Sequence, residues 1–462
     1  MSVNTSNPRM KKLAAGLSVA ISLIGVQAQT FAKGINVAPF LTVTSCADDK
    51  SSGTLRQVIA GAISGDQIDL SGLSCAKNQI TLTQGEIAIK QDVVLLGGAS
   101  RVLTITSNIG RVLRSTSANL SLVNLSVSGG GVHTNSGDAE GGCILAAGNV
   151  SLTGSVVSDC VASSQNSSAR GGAISAYSVS MVNSRISGSS AISSGYYELA
   201  RGGGVYAASF SCTDSTLSGN LVSGDSGNGY GQGGGTLIAG RDVNLSRCTI
   251  NSNVAGEGGG IMQIVFPGSA PVTSIQNSTV SGNTATFASA GVVVFCSDCT
   301  PQPVQILNST VAFNSSPLSF DDGISTNGSV AAQSSIFAKN GSPADASAVG
   351  LLVGGGPADV FATSLTGADN LVMATNLKPA PGVITVSADP LMMPLADNGG
   401  PTWTHNLDAS SPAMRMGNNS ALFGTDQRGK GFSRSDNGLV DIGAFQHCQP
   451  KTIVAIKRPG KH

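Results

Sequence analysis

Short segments in which apolar and polar residues alternate recur along most of the chain. Two of the clearest, residues 215–220 and 278–283, read Ser-Thr-Leu-Ser-Gly-Asn and Ser-Thr-Val-Ser-Gly-Asn. By subtraction of successive positions, the apolar centres recur at steps of 25 to 33 residues: Val127, Val157, Ile186, Leu217, Ile250, Val280, Val311 and Ile336. Alternation with period two is typical of strands, and a nearly constant repeat of this length indicates a solenoid.

Glycine groups followed by an apolar residue lie between these segments and in phase with them. They occupy residues 141–144, 171–174, 202–205, 233–236 and 258–261. Helical repeats would need more Ala, Leu, Glu and Lys and less glycine. Strands too short to form a core alone can stack coil on coil. The sequence therefore predicts an all-β parallel β-helix, and the apolar residues that follow the glycines are expected to point inward: Ile144, Ile174, Val205 and Ile261.

An asparagine closes several of the repeated segments, as Asn283 does. Asparagine tolerates the left-handed backbone region better than most residues. Identical amide side chains stacked in register can also hydrogen-bond along the stack. We therefore expect these asparagines to adopt left-handed φ values and to bond to their copies on neighbouring coils.

The two ends of the chain carry different patterns. We expect an N-terminal cap with the first coils in residues 33–100, the repeats in residues 101–385, an irregular cap over the last coil in residues 386–447, and a basic tail in residues 448–462. Residues 52–63 predict a short amphipathic helix with Ser52 as its N-cap, which would cover the open edge of the first coil. Trp403, the only tryptophan, is expected to pack in the C-terminal cap.

Residues 1–32 have the pattern of a secretory signal peptide. Arg9, Lys11 and Lys12 precede an apolar run, and small residues give cleavage sites near residue 28 or residue 32. A membrane anchor is the alternative, but the run is short for a span of about 20 residues. The sequence therefore predicts an exported protein, secreted or at the cell surface, without a transmembrane segment after cleavage.

Composition narrows the class further. Charged residues make up 11% of the chain, hydrophobic residues 40%, and the formal net charge is zero. The apolar content argues against disorder, and the absence of net charge argues against a nucleic-acid partner. We expect a monomer with no cofactor and no metal.

Nine cysteines are present, which in an exported protein indicates disulfides. Cys46 and Cys75 are expected to pair across the N-terminal cap, which would stabilise it by roughly 3–4 kcal/mol. Cys296 and Cys299 are expected to form a tight loop disulfide, because no second Cys-x-x-Cys and no nearby His complete a zinc site. The pairing of the other five stays open, with Cys448 the candidate for a free thiol: Cys143, Cys160, Cys212, Cys248 and Cys448.

Both ends of the chain resemble a known family. Residues 44–59 are similar to the segment that begins many secreted bacterial β-helix proteins, and the repeats resemble those of polymorphic outer-membrane-protein type. The motifs in residues 389–391, 395–405, 411–413, 425–429 and 441–446 resemble the choice-of-anchor Q domain of bacterial surface and secreted β-helix proteins. The resemblance implies an exported right-handed β-helix of the pectin-lyase type, without a settled activity. Members often carry an anchoring signal after this domain, whereas residues 451–462 contain no apolar segment.

Catalytic candidates are few. Lyases and glycosidases on the resembled fold use acidic clusters on adjacent coils, and the polygalacturonases add Gly-His-Gly, which this chain lacks. The adjacent Asp321 and Asp322 are the only weak candidates, because glycosidases need two carboxyl groups about 5–10 Å apart. An Asp pair in a turn is more often a solvated loop.

The residues before the glycine groups suggest a binding edge instead. If the coils stack in register, they form one polar column: Glu140, Arg170, Arg201, Gln232 and Glu257. Arg170 beside Arg201 would be strained unless an acid such as Glu198 or a bound anion lies between them. Four tyrosines could add stacking surfaces: Tyr196, Tyr197, Tyr206 and Tyr230. The alternative is a solvated edge whose ion pairs contribute little.

Two classes of function follow from these patterns. The first is a non-catalytic β-helix for surface display, adhesion or binding of a polysaccharide or another host or cell-surface ligand. The alternative is a secreted polysaccharide lyase or glycoside hydrolase acting on acidic polysaccharide. The missing catalytic motifs favour the first.

Overall fold

The computed structural model describes residues 40–195, 198–224, 231–299, 301–317, 322–341, 358–375 and 377–447. In these residues the chain is an all-β parallel solenoid of about ten turns, which confirms the predicted β-helix. The helical elements described are one α-helix, Leu55–Gly61, and one short 3-10 turn, Ala76–Asn78. The predicted signal peptide and the basic tail lie outside the described residues.

Two long parallel sheets form the walls of the solenoid. The described strands of the first, here called sheet 1, are Leu41–Thr42, Asp66–Asp69, Ile87–Ile89, Val93–Leu96, Leu113–Ser115, Leu120–Val123, Ile144–Thr153, Ile174–Val182, Val205–Thr213, Thr236–Ala239, Val243–Ser246, Ile261–Val265, Thr273–Gln276, Val292–Cys296, Val304–Leu307, Ile324–Thr326, Ser329–Gln333, Val360–Phe361 and Ser364–Ala368. Those of sheet 2 are Gln79–Leu82, Leu103–Ser107, Leu125–Ser128, Val156–Ser158, Arg185–Ser187, Thr216–Ser218, Thr249–Asn251, Thr279–Ser281, Thr310–Ala312, Ile336–Ala338, Asn370–Val372 and Ile384–Val386.

Shorter sheets close the remaining edge of the central coils. Sheet 3 consists of Gly131–Thr134, Val161–Ser164, Ser190–Ser193, Leu221–Ser223, Val254–Glu257 and Thr284–Ala288. Sheet 4 consists of Ala139–Glu140, Ala169–Arg170 and Ala200–Arg201. Near the C-terminus, Met392–Ala396 and Thr404–Leu407 form an antiparallel pair.

The repeat seen in the sequence is the structural coil. Val157 is in register with Val127 on one side and with Ile186 on the other, and all three are fully buried. The residues after the glycine groups are also fully buried, as predicted: Ile144, Ile174, Val205 and Ile261. Alternation with period two therefore places one apolar side chain per strand inside and its neighbours outside.

Two buried ladders of polar side chains run along the corners that flank sheet 2. At one corner stacked serines accept neighbouring amide N–H groups; Ser278 N, for example, donates to Ser309 Oγ at 3.1 Å. At the other, the predicted asparagines bond coil to coil, and Asn283 Nδ2 donates to Asn314 Oδ1 at 2.9 Å. The left-handed φ predicted for Asn283 is wrong, because the positive φ of 64° falls on Gly282. The turn is made one residue earlier, which leaves the Asn side chain aimed inward.

The N-terminal helix is shorter than the sequence suggested. It begins after Thr54, so the prediction of Ser52 as N-cap is wrong. The Thr54 hydroxyl donates back to the Ser51 carbonyl at 2.9 Å and makes no cap bond to the helix. Leu55 and Ile59 are buried against the first coils, as the amphipathic pattern requires.

The C-terminal segment (residues 387–447) is irregular, as expected, but its contacts run along the outer face of sheet 2, not only at the last coil. Thr310 Oγ1 accepts from Ala444 N at 3.1 Å, Gln427 Oε1 accepts from Thr279 Oγ1 at 2.6 Å, and the Trp403 carbonyl accepts from Thr249 Oγ1 at 2.6 Å. The segment therefore extends back over several coils toward the N-terminal end.

His405 joins this segment to sheet 2 in a buried position. Its Nδ1 lies 2.7 Å from the Met393 carbonyl and its Nε2 lies 2.8 Å from Ser281 Oγ. Because a carbonyl only accepts, Nδ1 carries the proton and Nε2 accepts from the serine hydroxyl. Burial lowers the pKa of His405. The neutral ring is therefore the form that the folded chain favours.

Acid is expected to destabilise the protein through His405. The folded chain binds fewer protons at this site than the unfolded chain, so stability falls as the pH drops below about 6.5, the ordinary histidine value. Thermal unfolding between pH 7.5 and pH 5.5 should show a steeper loss for the wild type than for His405→Gln. The control is His133→Gln, which removes an exposed histidine and should leave the pH slope of the wild type unchanged. An identical pH slope in wild type and His405→Gln would contradict this role.

The structure pairs eight cysteines. Cys46 and Cys75 are joined with Cα atoms 5.6 Å apart, and so are Cys296 and Cys299. The cysteines whose pairing the sequence left open also form bonds, Cys143 with Cys160 and Cys212 with Cys248. Cys248 occupies a position of the serine ladder: it aligns with Ser215 on the preceding coil, and its N–H donates to Ser278 Oγ at 3.0 Å. Cys448 lies outside the described residues.

Candidate functional site

The five residues of the polar column stack as predicted. Strand register places Glu140 beside Arg170 and Arg170 beside Arg201. Two isolated bridges continue the column from Arg201 to Gln232 and from Gln232 to Glu257. The backbone of each coil thus presents one polar side chain at the same edge, where the chain leaves the short outer sheets for sheet 1.

Acidic groups surround the first arginine of the column. Arg170 Nη1 donates to Glu140 Oε1 at 3.0 Å and also pairs with Asp138. Sequence reasoning missed Asp138, although it lies two residues before Glu140, and side chains two residues apart in an extended chain point to the same side. The Ser167 hydroxyl, together with the Arg170 guanidinium, holds the pKa of Asp138 below its ordinary value. Arg170 is therefore neutralised within the protein.

The next arginine lacks such a counter-ion. Arg201 Nε donates to the neutral amide oxygen Gln232 Oε1 at 3.2 Å, and no described carboxylate forms an ion pair with it. Glu198, which the sequence suggested as the intervening acid, instead accepts from Ser168 Oγ at 3.0 Å. The Arg201 side chain is half-buried, and burial and the adjacent Arg170 lower its pKa. The centre of the column is thus positively charged and only partly solvated.

An aromatic ring and an acid complete the column. Tyr206 is half-buried, and its ring centroid lies 5.9 Å from the Arg170 guanidinium carbon. Gln232 Nε2 donates to Glu257 Oε2 at 3.3 Å, so Gln232 links Arg201 to the acidic end. Of the four tyrosines proposed from the sequence, the other three lie outside the described residues: Tyr196, Tyr197 and Tyr230.

Of the two weak catalytic candidates, the structure describes Asp322 alone. Asp321 lies outside the described residues. Asp322 is 1% exposed, and its Oδ2 accepts from Ser316 N at 2.9 Å. A carboxylate in this position stabilises a turn of the backbone and does not face a surface that a polysaccharide could reach.

The described residues contain no group of three or more His, Cys, Asp or Glu side chains placed to hold a metal ion. Within the same part of the chain, no helix is long and apolar enough to cross a membrane. Comparison with protein-family models, with curated proteins and with solved structures found no match.

Proposed function

We propose that this protein is an exported β-helix that binds an acidic polysaccharide along the polar column, with Arg201 as the central contact for a carboxylate. The observation that carries the proposal is the half-buried Arg201 guanidinium, which has a neutral partner on one side and Arg170 on the other. A half-buried charge without a counter-ion is costly, and a ligand carboxylate would compensate it through charge-assisted hydrogen bonds.

The geometry of a solenoid suits an extended ligand. Successive coils lie about 4.8 Å apart, so a polymer running along the column meets one polar side chain per coil. Glu140, Gln232 and Glu257 would accept from sugar hydroxyls on either side of the carboxylate. Tyr206 adds an amphipathic face beside Arg170. A shallow edge of this kind would gain affinity because many weak contacts are repeated along the polysaccharide.

Export and surface display belong to the same proposal. Four disulfides in the described residues support an oxidising compartment. The signal-peptide pattern of residues 1–32 and the resemblance of residues 386–447 to a choice-of-anchor Q domain support delivery to the cell surface. In this account the protein displays its column toward extracellular polysaccharide.

Arg201→Gln is expected to weaken binding to polygalacturonate about tenfold or more, since a charge-assisted hydrogen bond contributes about 1.5–3 kcal/mol. Affinity gel electrophoresis with polygalacturonate and with its methyl-esterified form measures both affinity and the need for a carboxylate. The esterified polymer should bind the wild type and the variant equally weakly.

The matched control is Arg415→Gln, which removes the same charge from an exposed position in the C-terminal segment. If both variants weakened polygalacturonate binding equally, the loss would be explained by net charge alone, which would contradict the proposal. Release of unsaturated products or new reducing ends by the wild type would instead favour the enzymatic alternative.

A further inference from the structure

A second groove lies on the outer face of sheet 2, where the C-terminal segment stops covering it. The segment protects the coil of Thr249–Asn251 through its Trp403 carbonyl. The preceding strands Thr216–Ser218, Arg185–Ser187 and Val156–Ser158 carry no such cover, and their outward residues are half-buried or exposed at Thr216, Arg185 and Val156. A cavity of about 270 Å³ lies where the covered part of sheet 2 meets the open part.

Trp403 forms one wall of this groove, and its side chain does not pack into the protein as the sequence had suggested. It is 52% exposed. Its backbone is nevertheless fixed, because its carbonyl accepts from Thr249 Oγ1 at 2.6 Å and from Gln427 Nε2 at 3.0 Å. The adjacent Thr402 Oγ1 donates to the Arg247 carbonyl at 3.2 Å. The indole is therefore a large apolar surface held in place on a hydrogen-bonded backbone and left open to solvent.

Beside the indole the groove presents polar side chains separated by aliphatic surface: Asn183, Arg185, Asp214, Thr216, Ser218 and Asn251. Ser155 and Ser184 also border it, but their hydroxyls belong to the buried serine ladder. Arg247 bonds Asp214 through Nε and Nη2, each at 2.7 Å, so these two charges neutralise each other. Arg185 Nη2 donates to Ser218 Oγ at 3.2 Å, and Arg185 is otherwise exposed. Val156 and Pro401 add aliphatic surface beside the indole.

We propose that this groove binds a neutral carbohydrate, with one sugar ring stacked on Trp403. A pyranose has an apolar C–H face and a rim of hydroxyl groups, and the groove offers an aromatic face beside hydroxyl, amide and guanidinium groups. The cavity is slightly smaller than a drug-sized pocket of about 300–1,000 Å³, which suits one ring of a longer chain. A protein partner would need a larger and more apolar core.

The site is independent of the polar column. It lies on sheet 2, whereas the column follows sheet 4 and continues to Glu257 at the edge of sheet 3. In the groove Asp214 is paired with Arg247, and the exposed Arg185 has a hydroxyl partner. The two sites therefore predict different ligands: acidic polysaccharide at Arg201 and neutral glycan at Trp403. Each can fail while the other holds.

Because Trp403 is the only tryptophan, its emission reports on the groove directly. Titration with soluble neutral polysaccharides (laminarin, xyloglucan, galactomannan and soluble starch) is expected to give a saturable blue shift with at least one, together with protection from acrylamide quenching. Trp403→Ala should weaken binding of that polysaccharide about tenfold in affinity gel electrophoresis, and Trp403→Phe should retain part of it, since a smaller ring still stacks.

Three comparisons make the outcome unambiguous. Phe295→Ala removes another exposed aromatic ring and should bind as the wild type does. Arg201→Gln should keep neutral-glycan binding, and Trp403→Ala should keep polygalacturonate binding. The proposal is overturned if no polysaccharide of the panel changes the wild-type emission or retards its migration, or if Trp403→Ala binds unchanged. The emission and quenching arms use wild-type protein, so they decide the matter even if a variant folds poorly.

Discussion

Arg434→Met is expected to destabilise the protein by roughly 3–5 kcal/mol, because it removes a buried guanidinium from the acceptors built around it. Arg434 is fully buried. Its Nη1 donates to the Gly443 carbonyl at 2.8 Å, and its Nη2 donates to the Asp441 carbonyl at 3.0 Å. Nη1 also reaches Asn277 Oδ1 of the solenoid at 3.5 Å. Methionine would fill much of the volume but leave these acceptors without donors.

The measurement is thermal and urea unfolding, with limited proteolysis to test whether the C-terminal segment opens first. Arg434→Lys should lie between wild type and Arg434→Met, since an ammonium provides three donors from one point but not the planar fork. Arg415→Met, in the same segment but exposed, should change stability by less than about 0.5 kcal/mol. If Arg434→Met melted like Arg415→Met, Arg434 would not be what holds the segment together.

Arg434 also shows why the C-terminal segment was harder to predict than the coils. A coil strand can be predicted from its local sequence, because one apolar residue between polar neighbours, repeated once per turn, fixes which side chain points inward. The segment contacts residues more than a hundred positions away, such as Asn277 and Thr249. Its sequence shows only scattered apolar residues among Gly, Pro and Asn. An arginine in such surroundings resembles a surface charge, and an isolated tryptophan resembles a core residue, yet Arg434 is buried and Trp403 is exposed.

The polar column was likewise predicted only in part from the sequence. Its alignment followed from the spacing of the glycine groups, because residues in equal phase meet when coils stack in register. The charge balance did not follow, since it depends on which side chains the loops bring within reach. Asp138 neutralises Arg170, whereas Glu198 turns to Ser168 and leaves Arg201 with an uncharged partner. The repeat spacing alone therefore could not predict the side-chain partners, which decide where a ligand carboxylate would bind.

Asn283→Ala is expected to cost roughly 3–5 kcal/mol, because it interrupts the asparagine ladder in its middle and opens a small buried cavity. Asn283 is fully buried. Its Oδ1 accepts from Asn253 N at 3.1 Å and from Asn253 Nδ2 at 2.9 Å. Its Nδ2 donates to the Ile250 carbonyl at 3.0 Å and to Asn314 Oδ1 at 2.9 Å. Alanine would remove all four bonds from a site that water does not reach.

The ladder should respond as a connected unit. Asn253 and Asn314 lose a partner together, so Asn283→Ala combined with Asn314→Ala should cost less than the sum of the two single changes. Asn244→Ala, on an exposed position of sheet 1, is the matched control and should change stability by less than about 0.5 kcal/mol. Urea unfolding of the four variants measures the coupling. Strict additivity would show that the stacked amides act independently and not as a connected unit. An Asn283→Ala variant as stable as Asn244→Ala would show that they contribute little to stability and that the apolar core alone holds the coils in register.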